Sequence, residues 1–400
     1  MSTVEKFGRF IDTEGCFELR NEPPRKWRNI HYNKIGDVEA YCEISNLGDG
    51  PLVIRDRDGV TCHVSGWDSK YIYIRDDDTG TVFCPWGAPA PQEVENRYCR
   101  FYASKTEIGS TCENLKVRFR GFVPREHPVE VWTLDIENLS RKPRNISVFA
   151  YNMFNLSGCD KDGGWVGKDN YSEIVPAIGG VFVTNRNKFV PTDRFNGFIV
   201  ALRDFHAADG YRDQFLRSEY SVGTPKILWG YDCQNKGFYG PDCAGAVQVK
   251  LKLRPNSSGR ADFLIGQAAN VAEVKRLRSK FNGKMIDAMS DEQERIERER
   301  AAKFAVSTGL CNYDSLVNVF VKKQLYSYLI NKSGFRDNLQ ADYAVSLFDC
   351  RLAEENFLRA LSSQYADGSV PHGFRPLNRL KYSDKPAWIL MLVPELVKER

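Results

Sequence analysis

The chain is short of most features that place a protein at a glance. No run of about eighteen apolar residues occurs, so no membrane-spanning helix is predicted. The opening residues Met1-Ser2-Thr3-Val4-Glu5-Lys6 hold no basic segment followed by an apolar stretch, so no signal peptide is read. Excess charge is scarce: 56 Lys and Arg against 52 Asp and Glu leave +4 over 400 residues, with no basic stripe. Such a balance speaks for a mixed solvated surface rather than for a nucleic-acid partner. The eleven cysteines are scattered, with no Cys-x-x-Cys pair and no Cys/His cluster at metal spacing. Cys233 and Cys243 alone sit close enough, in a glycine-rich segment, to suggest a zinc or disulfide remnant. With no second pair nearby, the reading is reduced thiols in a cytoplasmic protein, which is the localisation the chain predicts. No P-loop, no Gly-x-Ser-x-Gly elbow and no dinucleotide fingerprint occurs, so no cofactor and no metal are expected.

What is present first is β pattern. Up to about residue 268, short runs of Val, Ile, Tyr, Phe and Trp alternate with turn residues. Tyr71-Ile72-Tyr73-Ile74 and Thr81-Val82-Phe83 flank Asp76-Asp77-Asp78-Thr79-Gly80, a hairpin loop in which Gly80 is free to take positive φ. Further strands are predicted at 115–122, 129–136, 146–151, 180–183, 198–202 and 246–253. Many strands without interleaved amphipathic helices argue for a large antiparallel sandwich.

The period changes near Asn270. Val274, Leu277 and Phe281 repeat at helical spacing, and Ser290-Asp291-Glu292-Gln293 reads as the start of a charged connector helix. Leu316, Phe320, Gln324 and Tyr328 share one helical face, and further helices are predicted at 342–349 and 352–362. Residues 1–268 are therefore expected to form the sandwich, 269–306 a helical linker, and 307–400 the first helices of an all-α domain. The apolar segment 387–397 is expected to lack helical partners.

The chemistry collects late in the chain. Gly334-Phe335-Arg336-Asp337-Asn338-Leu339-Gln340, Asp367-Gly368-Ser369-Val370-Pro371-His372 and Tyr382-Ser383-Asp384-Lys385-Pro386-Ala387-Trp388 hold what a sugar pocket needs. Carboxylates and amides grip vicinal hydroxyls, arginine holds two oxygens at once, and an indole stacks on a pyranose face. Each residue also has a plainer reading. Arg336 can pair with Asp337 or Asp342, His372 can be structural, and Asp384 can cap the helix ahead of Pro386. Arg375, Arg379, Lys381 and Lys385 form a basic cluster, either plain surface or suited to an acidic acceptor.

Those late motifs, with Tyr71–Gly80 followed by Pro85-Trp86, Phe122-Val123-Pro124 with Val129-Glu130-Val131-Trp132, and Gly210-Tyr211, resemble the glycoside phosphorylases of family 94. The cellobiose and chitobiose phosphorylases belong to that group. The resemblance implies a β-sandwich, a helical linker and an (α/α)6 barrel, here incomplete, in a homodimer. It implies that inorganic phosphate, the co-substrate, attacks the anomeric carbon of a β-linked disaccharide with inversion. An α-sugar 1-phosphate and a free sugar result, and one carboxylic acid protonates the leaving oxygen. The general acid and the phosphate-binding residues are expected beyond Arg400, so this chain alone is expected to be inactive. Substrate binding is expected from Arg336, Asp337, Gln340, Asp342 and His372. Where the family has Gln followed directly by Asp, this chain has Gln340-Ala341-Asp342, a displacement of about 100° on a helix. The alternative is a non-catalytic carbohydrate-binding or assembly fragment of such an enzyme.

Overall fold

A computed structural model describes residues 4–11, 15–56, 58–160, 162, 164–187, 192–217, 221–331, 334–375 and 377–398. Among them, two large antiparallel sheets share one core. The eleven-stranded sheet has Leu115–Phe122, Val129–Asn138 and Ser258–Gln267 at its centre, and the nine-stranded sheet has Cys243–Leu253, Arg144–Cys159 and Thr61–Asp76 at its own.

Period-two alternation explains the layering. In Arg144–Cys159, Val148 and Ala150 face the core between the sheets, while Phe149 and Tyr151 join a second cluster on the outer face. Ile72 and Ile74 divide from Tyr71 and Tyr73 in the same way. That outer face is covered by the short helix α1 (Arg212–Leu216), which places Phe215 against Tyr73 and Tyr151. On the other sheet, Trp132, Leu134 and Ile136 point between the sheets and Val129 and Val131 point outward. One ion pair crosses the interior: Lys70 and Glu130, both fully buried, lie 2.5 Å apart, and Trp132 Nε1 donates to the same carboxylate at 2.6 Å.

The hairpin at Gly80 forms as predicted, with φ +81°. The strand predicted at 115–122 coincides with Leu115–Phe122, whereas that at 146–151 lies in the first half of a 16-residue strand. The extension includes polar residues that the alternation does not reveal: Asn152 Oδ1 accepts from the Ser65 hydroxyl at 2.7 Å. Cys233 and Cys243 are free thiols, each donating to a backbone carbonyl at 3.5 Å. The two are not joined as a disulfide, in keeping with the reduced thiols expected.

After the last long strand, the helices α2 (Val271–Arg278) and α3 (Gly283–Ala302) follow. Asn270 caps α2 by accepting from the Glu273 N–H at 3.0 Å, and Glu273 reaches back to the Ala269 N–H at 2.7 Å. Val274, Phe281 and Ile286 then cover the outward face of the eleven-stranded sheet. The start read at Ser290 is displaced: α3 begins seven residues earlier under the Asn282 cap, and Ser290 is buried within it.

Next come α4 (Cys311–Ser315), a π-helical turn (Leu316–Val321), α5 (Lys322–Asn331), α6 (Phe335–Leu361) and α7 (Lys385–Lys398). The two helices predicted at 342–349 and 352–362 are one element broken at Asp349, where φ is −150° and ψ is 67°. The Asp349 carboxylate accepts from Tyr326 Oη at 3.0 Å, which holds the break against α5. A hairpin, Pro371–Phe374 with Leu377–Lys381, separates α6 from α7. The apolar α7 does have a partner: Leu392 and Leu396 bury themselves against α6, although Leu390 and Val397 stay exposed.

Candidate functional site

Phe335 and Leu339, both fully buried, seat the first turns of α6. Four residues make roughly one turn, so Arg336 and Gln340 share the opposite, exposed face. Gly334 precedes them and pairs through a β-bridge with Gly373, which brings the start of α6 against the hairpin and His372. A side chain on Gly334 would collide with the Asp337 carboxylate, which folds back over this turn.

Five charged or polar groups converge there. Arg336 Nη1 donates to Asp384 at 3.1 Å, with both side chains about half exposed, at 49% and 48%. Lys385 opens α7 and sends its ammonium to His372 Nδ1 at 2.5 Å and to the His372 carbonyl at 2.7 Å. With Nδ1 accepting, a neutral His372 carries its hydrogen on Nε2 and remains a donor there. Tyr382 packs its ring 5.0 Å from the imidazole. Burial lowers the Lys385 ammonium below its ordinary range, and Asp384 and Asp337 oppose that shift. The half-exposed Arg336 and Asp384, with Asp337 and His372 beside them and the buried Lys385 behind, suit a ligand with several hydroxyls, each of which both donates and accepts.

The structure therefore brings Arg336, Asp337 and His372 together, with Gln340 on the adjoining exposed face. Arg336 takes Asp384 as its partner rather than Asp337 or Asp342. Asp342 does not join the group, and this corrects the sequence expectation. It lies on the stripe of α6 that carries Leu339 and Val345 inward, has no exposed surface, and accepts from Asn356 Nδ2 at 2.9 and 3.0 Å. Burial pushes its carboxyl up to about 8, against the lowering pull of Asn356 and Arg359. Trp388 is partly buried and packs against the helical core.

The basic cluster splits in two. Arg379 and Lys381 are exposed, whereas Arg375 turns inward to Glu39 at 3.1 Å. Glu39, almost fully buried in the strand Val38–Ser45, also accepts from Arg359 of α6 at 2.7 Å and from Arg55 at 3.1 Å. Nothing in local spacing signals this convergence, because its members stand up to 336 residues apart. Lys385 was legible only as one more basic residue; its place directly after Asp384 was the available cue.

Residues 53–284 match the supersandwich domain of glycosyl hydrolase 94. The chain belongs to that family. It is 27% identical to solabiose phosphorylase of Paenibacillus borealis, over 83% of this chain and 44% of that protein. It is 24% identical to the 3-O-beta-D-glucopyranosyl-beta-D-glucuronide phosphorylase of the same organism, over 94% of this chain and 50% of that one. The chain thus spans about half the length of the curated relatives it matches. A bacterial glucoamylase solved with acarbose shares the fold at a TM-score of 0.57 and 9% identity, covering 95% of this chain and 58% of that one. Among the described residues, no group of three or more His, Cys, Asp or Glu is placed to hold a metal ion, and no helix is long and apolar enough to cross a membrane.

Proposed function

We propose that this chain is the sandwich, linker and opening helices of an inverting phosphorylase acting on a β-linked disaccharide. The products are an α-sugar 1-phosphate and a free sugar. In this reading residues 1–268 are the sandwich, 269–306 the linker, and 307–400 the start of an (α/α)6 barrel. The observation that carries it is the convergence of Arg336, Asp337, Asp384, Lys385 and His372 at the paired starts of α6 and α7. Family membership and the phosphorylase names of the relatives support it.

Arg336 and Asp337 hold hydroxyls of the donor sugar, and His372 donates from Nε2, kept in that tautomer by Lys385. Gln340 adds an amide on the same face. Asp342 holds Asn356 and the inner face of α6 instead of touching sugar. The general acid and the phosphate-binding residues are supplied by sequence beyond position 400, and no organic cofactor takes part. The assembled enzyme is a cytoplasmic homodimer.

The test is phosphate release from α-glucose 1-phosphate with a panel of acceptor sugars, run beside calorimetric titration of cellobiose. This reading expects saturable sugar binding by the 400-residue chain without turnover. Robust turnover by that chain alone overturns the placement of the acid. Absence of sugar binding overturns the assignment of the cluster.

A further inference from the structure

A second site lies away from the sugar cluster, where the sandwich meets three helices. The strand Arg28–Ile35, α3, α5 and α6 enclose a crevice of about 100 Å³. A single water needs only about 10–15 Å³ of such space, so the crevice takes several waters or one small polyatomic ligand. Its wall holds a concentration of unmet hydrogen-bonding groups. Among the described residues, Tyr32 Oη, Asn33 Nδ2, Gln293 Oε1 and Arg359 Nε are buried without a hydrogen-bond partner, and all four residues line this crevice. Buried polar atoms in folded proteins are overwhelmingly paired, so four orphans on one wall point to a ligand.

The chemistry of the wall says which kind. Asn33 Nδ2 and Arg359 Nε can only donate, and Tyr32 Oη donates or accepts. Gln293 turns its Oε1, which can only accept, to the crevice, while its Nε2 donates to Glu297 at 3.2 Å and so fixes the orientation of the amide. The field is positive. Behind the crevice, the guanidiniums of Arg359, Arg55 and Arg375 all reach the carboxylate of Glu39. Lys34 and Arg125 stand exposed at the rim. The acids nearby are already matched, Glu297 to Arg300 at 2.7 Å and Glu355 to Arg351 at 3.2 Å.

We propose that this crevice is a binding site for a small oxyanion that also carries a hydroxyl, the class to which hydrogen phosphate and small hydroxy acids belong. The oxyanion accepts from Asn33, Arg359 and Tyr32, and its hydroxyl donates to Gln293 Oε1. Because its walls come from the sandwich strand and from α3, α5 and α6 together, an occupied site ties those elements to one another. The proposal is independent of the sugar-cluster reading, since no residue is shared between the two.

Isothermal titration of the 400-residue chain with inorganic phosphate, D-glycerate and sulfate tests it. Sulfate has the charge but no hydroxyl hydrogen at neutral pH, so it leaves Gln293 unmet. Phosphate or glycerate is expected to saturate the protein, with sulfate about tenfold weaker or more. The phosphate and glycerate arms separate the two sources of the same chemistry. Tyr32→Phe removes only an unpartnered hydroxyl; it is expected to leave the ligand-free melting temperature unchanged or higher while weakening binding several-fold. Gln293→Met provides a second variant, expected to abolish the preference over sulfate. Arg336→Ala, in the sugar cluster, should leave oxyanion binding unchanged. The proposal is overturned if neither phosphate nor glycerate saturates, if sulfate binds as well, or if both crevice variants bind like wild type. Loss of binding in Arg336→Ala alone overturns it as well, by moving the site to the sugar cluster.

Discussion

Arg359 of α6 donates to Glu39 of the sandwich across 2.7 Å, joining residues 320 positions apart in the chain. The same carboxylate serves Arg55 and Arg375, so a single buried acid anchors the helical region to the nine-stranded sheet. Arg55 adds a further tie by donating to the Ile330 carbonyl at 2.8 Å.

Glu39→Gln removes a carboxylate that three guanidiniums share. Breaking a buried pair by deleting one partner leaves an uncompensated charge, so the loss of unfolding free energy should be about 3–5 kcal/mol. Urea denaturation measures it. A loss below about 1 kcal/mol would show that water, rather than Glu39, carries the balance.

Asp342 offers a pH test with a definite sign. Its folded carboxyl sits near 8 and its unfolded one near the ordinary 3.8, so between those values the folded state binds the extra proton. Its contribution to stability is therefore present at low pH and is lost as pH rises toward 8. Asp342→Asn, which cannot ionise, should gain on wild type progressively from pH 5 to pH 8. The gain should reach the order of a few kcal/mol, read as a widening difference in melting temperature. A constant difference across that range would contradict a neutral, buried Asp342.

Lys323 of α5 should show a pH window on the alkaline side. Burial lowers its ammonium to about 7, and it donates to Asn29 Oδ1 at 2.7 Å and the Tyr102 carbonyl at 3.2 Å. Here the unfolded chain binds the extra proton between about 7 and 10.5, so the lysine's penalty is full below pH 7 and is relieved as pH rises. Lys323→Met should flatten that rise between pH 7 and pH 9.5, measured by urea midpoints at several pH values. Parallel curves for the two proteins would refute it.

Arg336 and Asp384 are half exposed, and exposed ion pairs contribute little to stability. Arg336→Ala should shift unfolding by less than about 1 kcal/mol yet weaken cellobiose binding about tenfold or more. His372→Ala should weaken it as well, since the Nε2 donor is lost. Unchanged affinity in both variants would make the cluster a surface feature only.

How much of this was legible varies by element. The strand Leu115–Phe122 was readable because every second residue is apolar and buried, and the hairpin at Gly80 because its turn residues sit between two β-branched runs. The strand Arg28–Ile35 was not readable, because Asn29 and His31 face the interior. Both are buried by bonding to Thr106 Oγ1 at 3.1 and 2.9 Å, a partner more than seventy residues away. At the late motifs, the residue types were readable, but the bond from Lys385 to His372 and the inward fate of Arg375 were not.

The sequence by itself determined the antiparallel sandwich, the switch to helix at Asn270 and the hairpin at Gly80. These depend on periodicity and on local turn and cap chemistry, which neighbouring residues settle among themselves. Only the tertiary structure decided that Asp342 is a buried acid, that Glu39 gathers three arginines, and that Tyr32, Asn33, Gln293 and Arg359 face one crevice. The same carboxylate or guanidinium is a ligand group at the surface and a structural group when buried. Which of these it becomes depends on elements that the fold brings to it from hundreds of residues away.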